Sequence, residues 1–256
     1  MSQLPPSRRE LGLLRALLTR GGRKRSGCCR CEGVRAVEEL LDRRADLIDF
    51  IVATPRAIDV INRELPDLRI MTEEELSGYS DTLNSQGIIA VARIPESPDV
   101  KVSGNFILAL DQLGDPGNFG TIARTYRAIG GCELWYTKGS VDPWCDKAIR
   151  SGMGAQFSLN IRKFDDLPSL CDFAEQSGYP ELYIADPHKG ESCFSSANLF
   201  NHSVLVIGGE ANGVSMFPEK AKSVMIPMPG NYESLNAAQA ATVLLLESVR
   251  RTTDYI

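Results

Sequence analysis

Residues 106–129 read FILALDQLGDPGNFGTIARTYRAI. Phe106 to Leu110 is continuously apolar and of strand length, and the following DQLGDPGNFG, with three glycines and one proline, imposes a tight turn. Beyond it Ile122, Tyr126 and Ile129 stand at i, i+4 and i+7, the spacing of a helix face turned to a core. Strand, glycine turn and helix in that order predict an α/β fold with a buried, mainly parallel sheet. Asn118 and Arg124 fall beside the strand end, with Arg124 off the apolar stripe. A helical arginine is usually solvated, so taken alone Arg124 reads as a surface residue.

The same pattern recurs twice. Val204 to Ile207 runs into Gly208-Gly209-Glu210-Ala211-Asn212-Gly213. Glycines let a ligand approach the backbone, and turns after parallel strands are where α/β proteins bind ligands. A carboxylate placed just after a buried strand needs a cationic or hydrogen-bonding partner, and Arg124 is the expected one for Glu210. The third segment, IPMPGNYESLNAAQAATVLLLE from Ile226, bends at two prolines and Gly230. Asn236 and Gln239 then have the N-cap spacing that opens an apolar helix. Capping accounts for Asn236, but not for the coincidence of Ser234 and Asn236 with two other polar strand ends.

Around these segments the predicted strands are Phe106 to Leu110, Glu133 to Thr137, Leu182 to Ala185, Val204 to Ile207 and Val224 to Ile226. The predicted helices are Phe119 to Ile129, Asp146 to Ser151, Phe164 to Gln176 and Ala237 to Arg250. Upstream, IPESPDVKVSG (Ile94 to Gly104) reads as a linker. The division is therefore a domain over 1–95, a linker over 96–104 and a domain over 105–256. The first domain reads as small α/β: helix Glu10 to Thr19, strand Cys28 to Cys31, helix Val34 to Arg43, strand Leu47 to Ala53, helix Ile58 to Leu65 and strand Leu68 to Met71. A helix opened by Thr72 and Glu75 at capping-box spacing and a strand Gly87 to Ala92 complete it.

At 256 residues, 43% hydrophobic and 24% charged, the chain has globular composition. No apolar run approaches the roughly 18 residues of a membrane span, so no membrane partner is expected. The seven cysteines are scattered and no secretory signal accompanies them, which points to a reducing cytoplasm. Cys28 and Cys31 form a C-x-x-C without the second pair that zinc needs, so no metal is expected and buried strand cysteines are the better reading. Net charge is −5, yet the first 44 residues carry 11 Lys and Arg against 5 acids, which leaves +6 there and −11 in the remainder. This asymmetry fits either a polyanion-binding surface or a solvated basic helix face. An Arg-rich start also has the composition of a transit peptide. The pattern Leu11, Leu14, Leu18 leads straight into the folded segment, however, so an uncleaved N-terminus is expected. Neither a G-x-G-x-x-G opening a helix after a strand, nor a P-loop, nor a G-x-S-x-G elbow is present. With two histidines, His188 and His202, neither beside a nucleophile, a Ser-His-Asp hydrolase is unsupported.

Taken together, three ordered segments resemble the SpoU (TrmH-type) family of RNA 2′-O-ribose methyltransferases in the SPOUT superfamily. They are Asn118 to Thr125, Ile207 to Gly213, and Ile226 to Gly230 with Ser234-Leu235-Asn236. The stretch Asp142 to Ala155 resembles the family's segment between motifs, and the first domain is similar to the family's small L30e-like RNA-binding domain. The resemblance implies a C-terminal knotted parallel-sheet domain, an exception to the rule that chains do not thread. It implies S-adenosylmethionine as cofactor, held by Ile207, Gly208, Gly209, Ile226, Met228, Ser234 and Leu235. It implies a homodimer with the site at the subunit interface. By the same mapping Arg124 activates the ribose 2′-hydroxyl, and Asn118, Glu210, Ser234 and Asn236 position it and the substrate. Family members often carry a small residue where this chain has Tyr126, which the helical spacing turns to the core. Ribosomal RNA is the favoured substrate, with transfer RNA or a non-catalytic RNA-binding role as alternatives.

Overall fold

A computed structural model describes residues 4–82, 84–96, 101–210, 213–230 and 234–252. They form two compact units, Met1–Glu96 with Asp142–Ser158, and Ser97–Val141 with Leu159–Ile256. The sequence reading assigns 142–158 to the C-terminal half, whereas the structure packs this stretch with the N-terminal residues. Charge explains the difference. Arg23 and Arg30 are both buried, and a buried guanidinium needs a partner. Asp142 meets Arg23 at 2.7 Å and Asp146 meets Arg30 at 3.2 Å. Gly154 fits so closely over Ala36 that a side-chain carbon there would lie 3.0 Å from its carbonyl oxygen.

The first unit comprises α1 (Arg8–Ala16), α2 (Arg20–Ser26), β1 (Cys28–Glu32), α3 (Val34–Arg44), β2 (Ile48–Ala53), α4 (Pro55–Ile61), β3 (Leu68–Ile70), α5 (Glu73–Ser77) and β4 (Ile88–Arg93). Its sheet runs β1-β4-β2-β3, antiparallel except for the β2/β3 pair. Leu14 of α1 and Leu17, which caps it, pack on Phe50, Val52, Ile89 and Val91. The Thr72/Glu75 capping box forms as its spacing predicts. Helix α4 starts earlier than the apolar period suggests, because Thr54 caps it and Pro55 occupies its first position, and it stops at Asn62 in the left-handed region. Helix α2 forms over RGGRKRS despite two glycines, between a Thr19 cap and a left-handed Gly27. Cys28, Cys29 and Cys31 are buried along β1, and burial pushes all three thiols up, away from the reactive thiolate form.

The second unit holds β5 (Phe106–Asp111), α6 (Pro116–Ala128), β6 (Glu133–Thr137), β7 (Asn160–Phe164), α8 (Leu167–Gln176), β8 (Glu181–Ala185), β9 (Glu191–Ser192), β10 (Ser203–Gly208), β11 (Lys222–Met225) and α9 (Ala237–Thr252); α7 (Asp146–Gly152) belongs to the first. The seven strands lie in the order β7-β6-β5-β10-β8-β11-β9, and every pairing is parallel. One apolar layer joins α6 and α9 to the sheet through Phe119, Ile122, Tyr126, Ala241 and Leu244. A second joins α8 through Leu167, Leu170 and Ala174. The buried Tyr126 hydroxyl donates to the Phe106 carbonyl at 2.8 Å, so this bulky core residue is satisfied. Two strands escape the sequence reading. The polar edge strand β7 is held by Arg162 and Asn160, which reach Glu133 at 3.2 and 2.9 Å, and β9 has two residues. Phe164 consequently ends a strand, and α8 starts after the Asp166 cap. Among the described residues no helix is long and apolar enough to cross a membrane.

Candidate active site

Chain order reverses between β5 and β10, so the carboxyl ends of these central strands flank the crevice where open α/β sheets take ligands. At the end of β5 the fully buried Asp111 accepts hydrogen bonds from Thr137 Oγ1 and the Ser215 N–H, each at 2.5 Å. Asp115 caps α6, accepting from the Asn118 N–H at 2.8 Å, and this places the Asn118 side chain in the first turn. At the end of β10, Gly209 and Gly213 exchange backbone hydrogen bonds of 3.0 and 2.9 Å and close a tight turn with Glu210 in it. Only glycines fit here. A side-chain carbon on Gly208 would lie 2.4 Å from the Gly213 carbonyl carbon, and one on Gly209 2.4 Å from the Gln112 oxygen. Ala211 and Asn212 of this motif lie outside the described residues. Ahead of α9, Asn236 Oδ1 accepts from the Ala238 and Gln239 N–H groups at 2.9 and 3.3 Å.

Asn118 joins the three segments. Its Nδ2 donates to Glu210 Oε1, and its Oδ1 accepts from Asn236 Nδ2 at 3.2 Å. The expected Glu210–Arg124 pair is not formed: the partner of Glu210 is Asn118. Arg124 follows Asn118 by six residues, which turns it about 240° around the helix at 3.6 residues per turn. It is exposed and makes no ion pair among the described residues.

A cavity of about 610 Å³ opens beside this network, within the size range of small-molecule sites. All seven residues singled out for cofactor contact line it: Ile207, Gly208, Gly209, Ile226, Met228, Ser234 and Leu235. Glu210 and Asn236 line it too, while Asn118 and Arg124 do not. The sequence reading missed one wall, Ala185, Asp186, Pro187 and His188, which follows β8. An Asp-Pro turn after a buried strand was the available signal. Asp186 Oδ1 fixes that turn by accepting from the His188 and Lys189 N–H groups at 2.9 and 3.1 Å. Its lining combines the apolar Ile207, Val224, Ile226, Leu235 and Leu244 with the polar Asp186, His188, Glu210, Ser234 and Asn236. Such a site suits a small molecule that presents both apolar surface and polar groups. Among the described residues no cluster of three or more His, Cys, Asp or Glu is placed to hold a metal ion.

The chain is similar to known proteins in sequence and in fold. Residues 105–246 match the model of the SpoU rRNA Methylase family. A 23S rRNA (uridine(2479)-2'-O)-methyltransferase of Streptomyces viridochromogenes is 28% identical over 248 residues, covering 91% of this chain and 86% of that protein. The mitochondrial rRNA methyltransferase 3A of Danio rerio is 29% identical over 229 residues, covering 70% of this chain, which spans about half (53%) of that relative's length. The crystal structure of the SpoU methyltransferase AviRb from Streptomyces viridochromogenes, in complex with the cofactor AdoMet, superposes with a TM-score of 0.82 at 25% identity. It covers 98% of this chain and 100% of that one.

Proposed function

The chain belongs to the SpoU rRNA methylase family, and we infer from that membership that it transfers a methyl group from S-adenosylmethionine to a ribose 2′-hydroxyl of RNA. The observation that carries the inference is the Glu210–Asn118–Asn236 network, three side chains from three strand ends, beside a cavity of about 610 Å³. The cavity fits the cofactor. Gly208 and Gly209 leave the backbone bare where side chains would collide, and the lining combines apolar residues with the polar Glu210, Asp186 and Asn236. When bound, the cofactor supplies an electrophilic methyl group on a sulfonium; the protein's task is to bind, orient and exclude water. Ile207, Gly208, Gly209, Ile226, Met228, Ser234 and Leu235 would hold it.

Arg124 is free to reach the RNA. A guanidinium offers five N–H donors and no acceptor, so Arg124 orients the hydroxyl and its phosphate rather than taking the proton. Asn118, Glu210, Ser234 and Asn236 position the reacting groups, and alignment of this kind is worth a large part of a transfer barrier. Ribosomal RNA is the favoured substrate, since the relatives are named for it and one of them spans 91% of this chain. A homodimer whose interface completes the site is part of the same reading, carried by family membership. The threaded C-terminal segment of the family and a cytoplasmic setting, consistent with seven unpaired cysteines, belong to the same reading.

Charge in the first unit supports contact with RNA there. Arg23, Arg30, Arg43, Arg44, Arg63 and Arg69 are in ion pairs. In contrast Arg8, Arg9, Arg20, Lys24, Arg25 and Arg35 are exposed and make no ion pair among the described residues. Calorimetry with S-adenosylmethionine tests the central claim. Binding is expected well below 1 mM, and none at about 1 mM, an affinity of only about 4 kcal/mol, would refute it. Mapping 2′-O-methyl groups in RNA from cells with and without the gene then identifies the substrate, and a lost site in transfer RNA would overturn the ribosomal assignment.

A further inference from the structure

We propose that Phe217, capped by the Lys189 ammonium beside the open edge of the cavity, is a stacking platform for an unpaired base of the RNA, next to the nucleotide that is methylated. The proposal rests on the methyltransferase reading and adds how the RNA strand is held at the site. Met216 and Phe217 are consecutive and 53% and 43% exposed. Single exposed apolar residues are ordinary. This pair differs because its backbone is anchored on one side and a cation faces it on the other. Val214 packs into the apolar layer under α8, and the Ser215 N–H is held by the buried Asp111 carboxylate. The chain thus turns from core to solvent within two residues and presents the ring from a fixed base. Gly213, four residues earlier, lines the cavity.

The facing loop supplies the cation. Lys189 Nζ lies 5.2 Å from the centroid of the Phe217 ring, and the adjacent His188, itself exposed, lines the cavity. This loop is fixed as well. Asp186 holds its N–H groups, and Gly190, at φ 121°, lies so close to Ser223 that a side-chain carbon would sit 2.4 Å from the Ser223 carbonyl carbon. The ammonium also lies 4.0 Å from Asp186 Oδ2, yet the Lys189 side chain remains 69% exposed, within reach of a phosphate. A ring with a cation on one face matches a nucleotide: the opposite face stacks on any base and the ammonium pairs with the backbone. His188 and Gly213 both line the cavity, one residue from Lys189 and four from Phe217, so a strand that reaches the cavity on this side passes over the ring.

The test uses the full chain, deproteinised ribosomal RNA and three variants. Phe217→Ala is expected to weaken rRNA binding about tenfold, the order of one lost base stack, with S-adenosylmethionine affinity unchanged by calorimetry. Lys189→Ala is expected to weaken it less and to flatten its salt dependence. Phe217→Trp should restore binding, and its indole should be quenched by rRNA, because Trp135 and Trp144 are buried. Wild-type rRNA affinity in Phe217→Ala, parallel loss of cofactor affinity, or an unquenched indole in Phe217→Trp would each overturn the platform. So would absence of rRNA binding by the wild type. If the wild type takes up no S-adenosylmethionine, it is the methyltransferase reading that fails, and the rRNA affinity ratio of wild type to Phe217→Ala still decides the platform.

Discussion

Asn118 and Arg124 lie six residues apart on one helix and have opposite structural weights. Both ends of the Asn118 amide are engaged, one by Glu210 and one by Asn236, so Asn118→Ala disconnects three motifs at once. We expect about 1 kcal/mol of lost stability, the scale of hydrogen bonds near solvent, and a fall of at least tenfold in the single-turnover methylation rate. Arg124 is exposed and makes no ion pair among the described residues. Arg124→Ala should therefore leave the denaturation midpoint within about 0.5 kcal/mol of wild type while abolishing methylation. Equal loss of stability in the two variants would show that the network has been misassigned. At this scale the identities of the polar residues were legible, because glycine turns after apolar runs mark strand ends. Their partners were not. Charge complementarity nominates Arg124 for Glu210, and only helix phase assigns Asn118 instead.

Among the elements, α9 combines the clearest sequence signal with a feature no pattern reveals. Its apolar face and its Asn236 cap are legible from spacing. Its last turns are held differently. Glu247, 4% exposed, accepts from Arg250 at 2.7 Å and Arg251 at 2.8 Å. Arg251 also donates to the Cys193 and Ser196 carbonyls, which ties the helix end to the segment after β9. Hydrogen bonding to Arg250, opposed by burial and reinforced by Arg251, brings the Glu247 carboxyl from 4.5 down to about 2. A carboxyl lowered in the folded state stabilises fully above its unfolded value, and that contribution is lost as pH falls through the folded one. Wild type should thus lose stability between about pH 4.5 and pH 2, and Glu247→Gln, less stable at pH 7, should lose less over that window. Denaturation midpoints at the two ends check this, and identical pH slopes would contradict it. Edge elements were the least legible. Strand β7 is polar on its exposed side, β9 is too short to show a period, and α2 hides two glycines between good caps.

For the molecule as a whole, the decisive quantity is how charge is sorted. The sequence shows a basic first sixth; the fold divides it into cations consumed in ion pairs and a residue of exposed ones on α1, α2 and α3. Replacing Arg20, Lys24 and Arg25 with alanine should reduce the slope of log affinity for rRNA against log salt by about 2 to 3, near 0.7 to 0.9 per lost phosphate contact. Cofactor affinity should not change. An unaltered slope would remove α2 from the RNA-contacting surface. By itself the sequence determined the α/β class, the parallel sheet of the second unit and the three polar strand ends, because apolar period, glycine turns and caps act within a few residues. Only the tertiary structure decided that 142–158 packs with the first unit, which cations are spent internally, and that Asn118 links residues 92 and 118 positions away. Those outcomes depend on which groups burial forces together, and separation along the chain carries no trace of that.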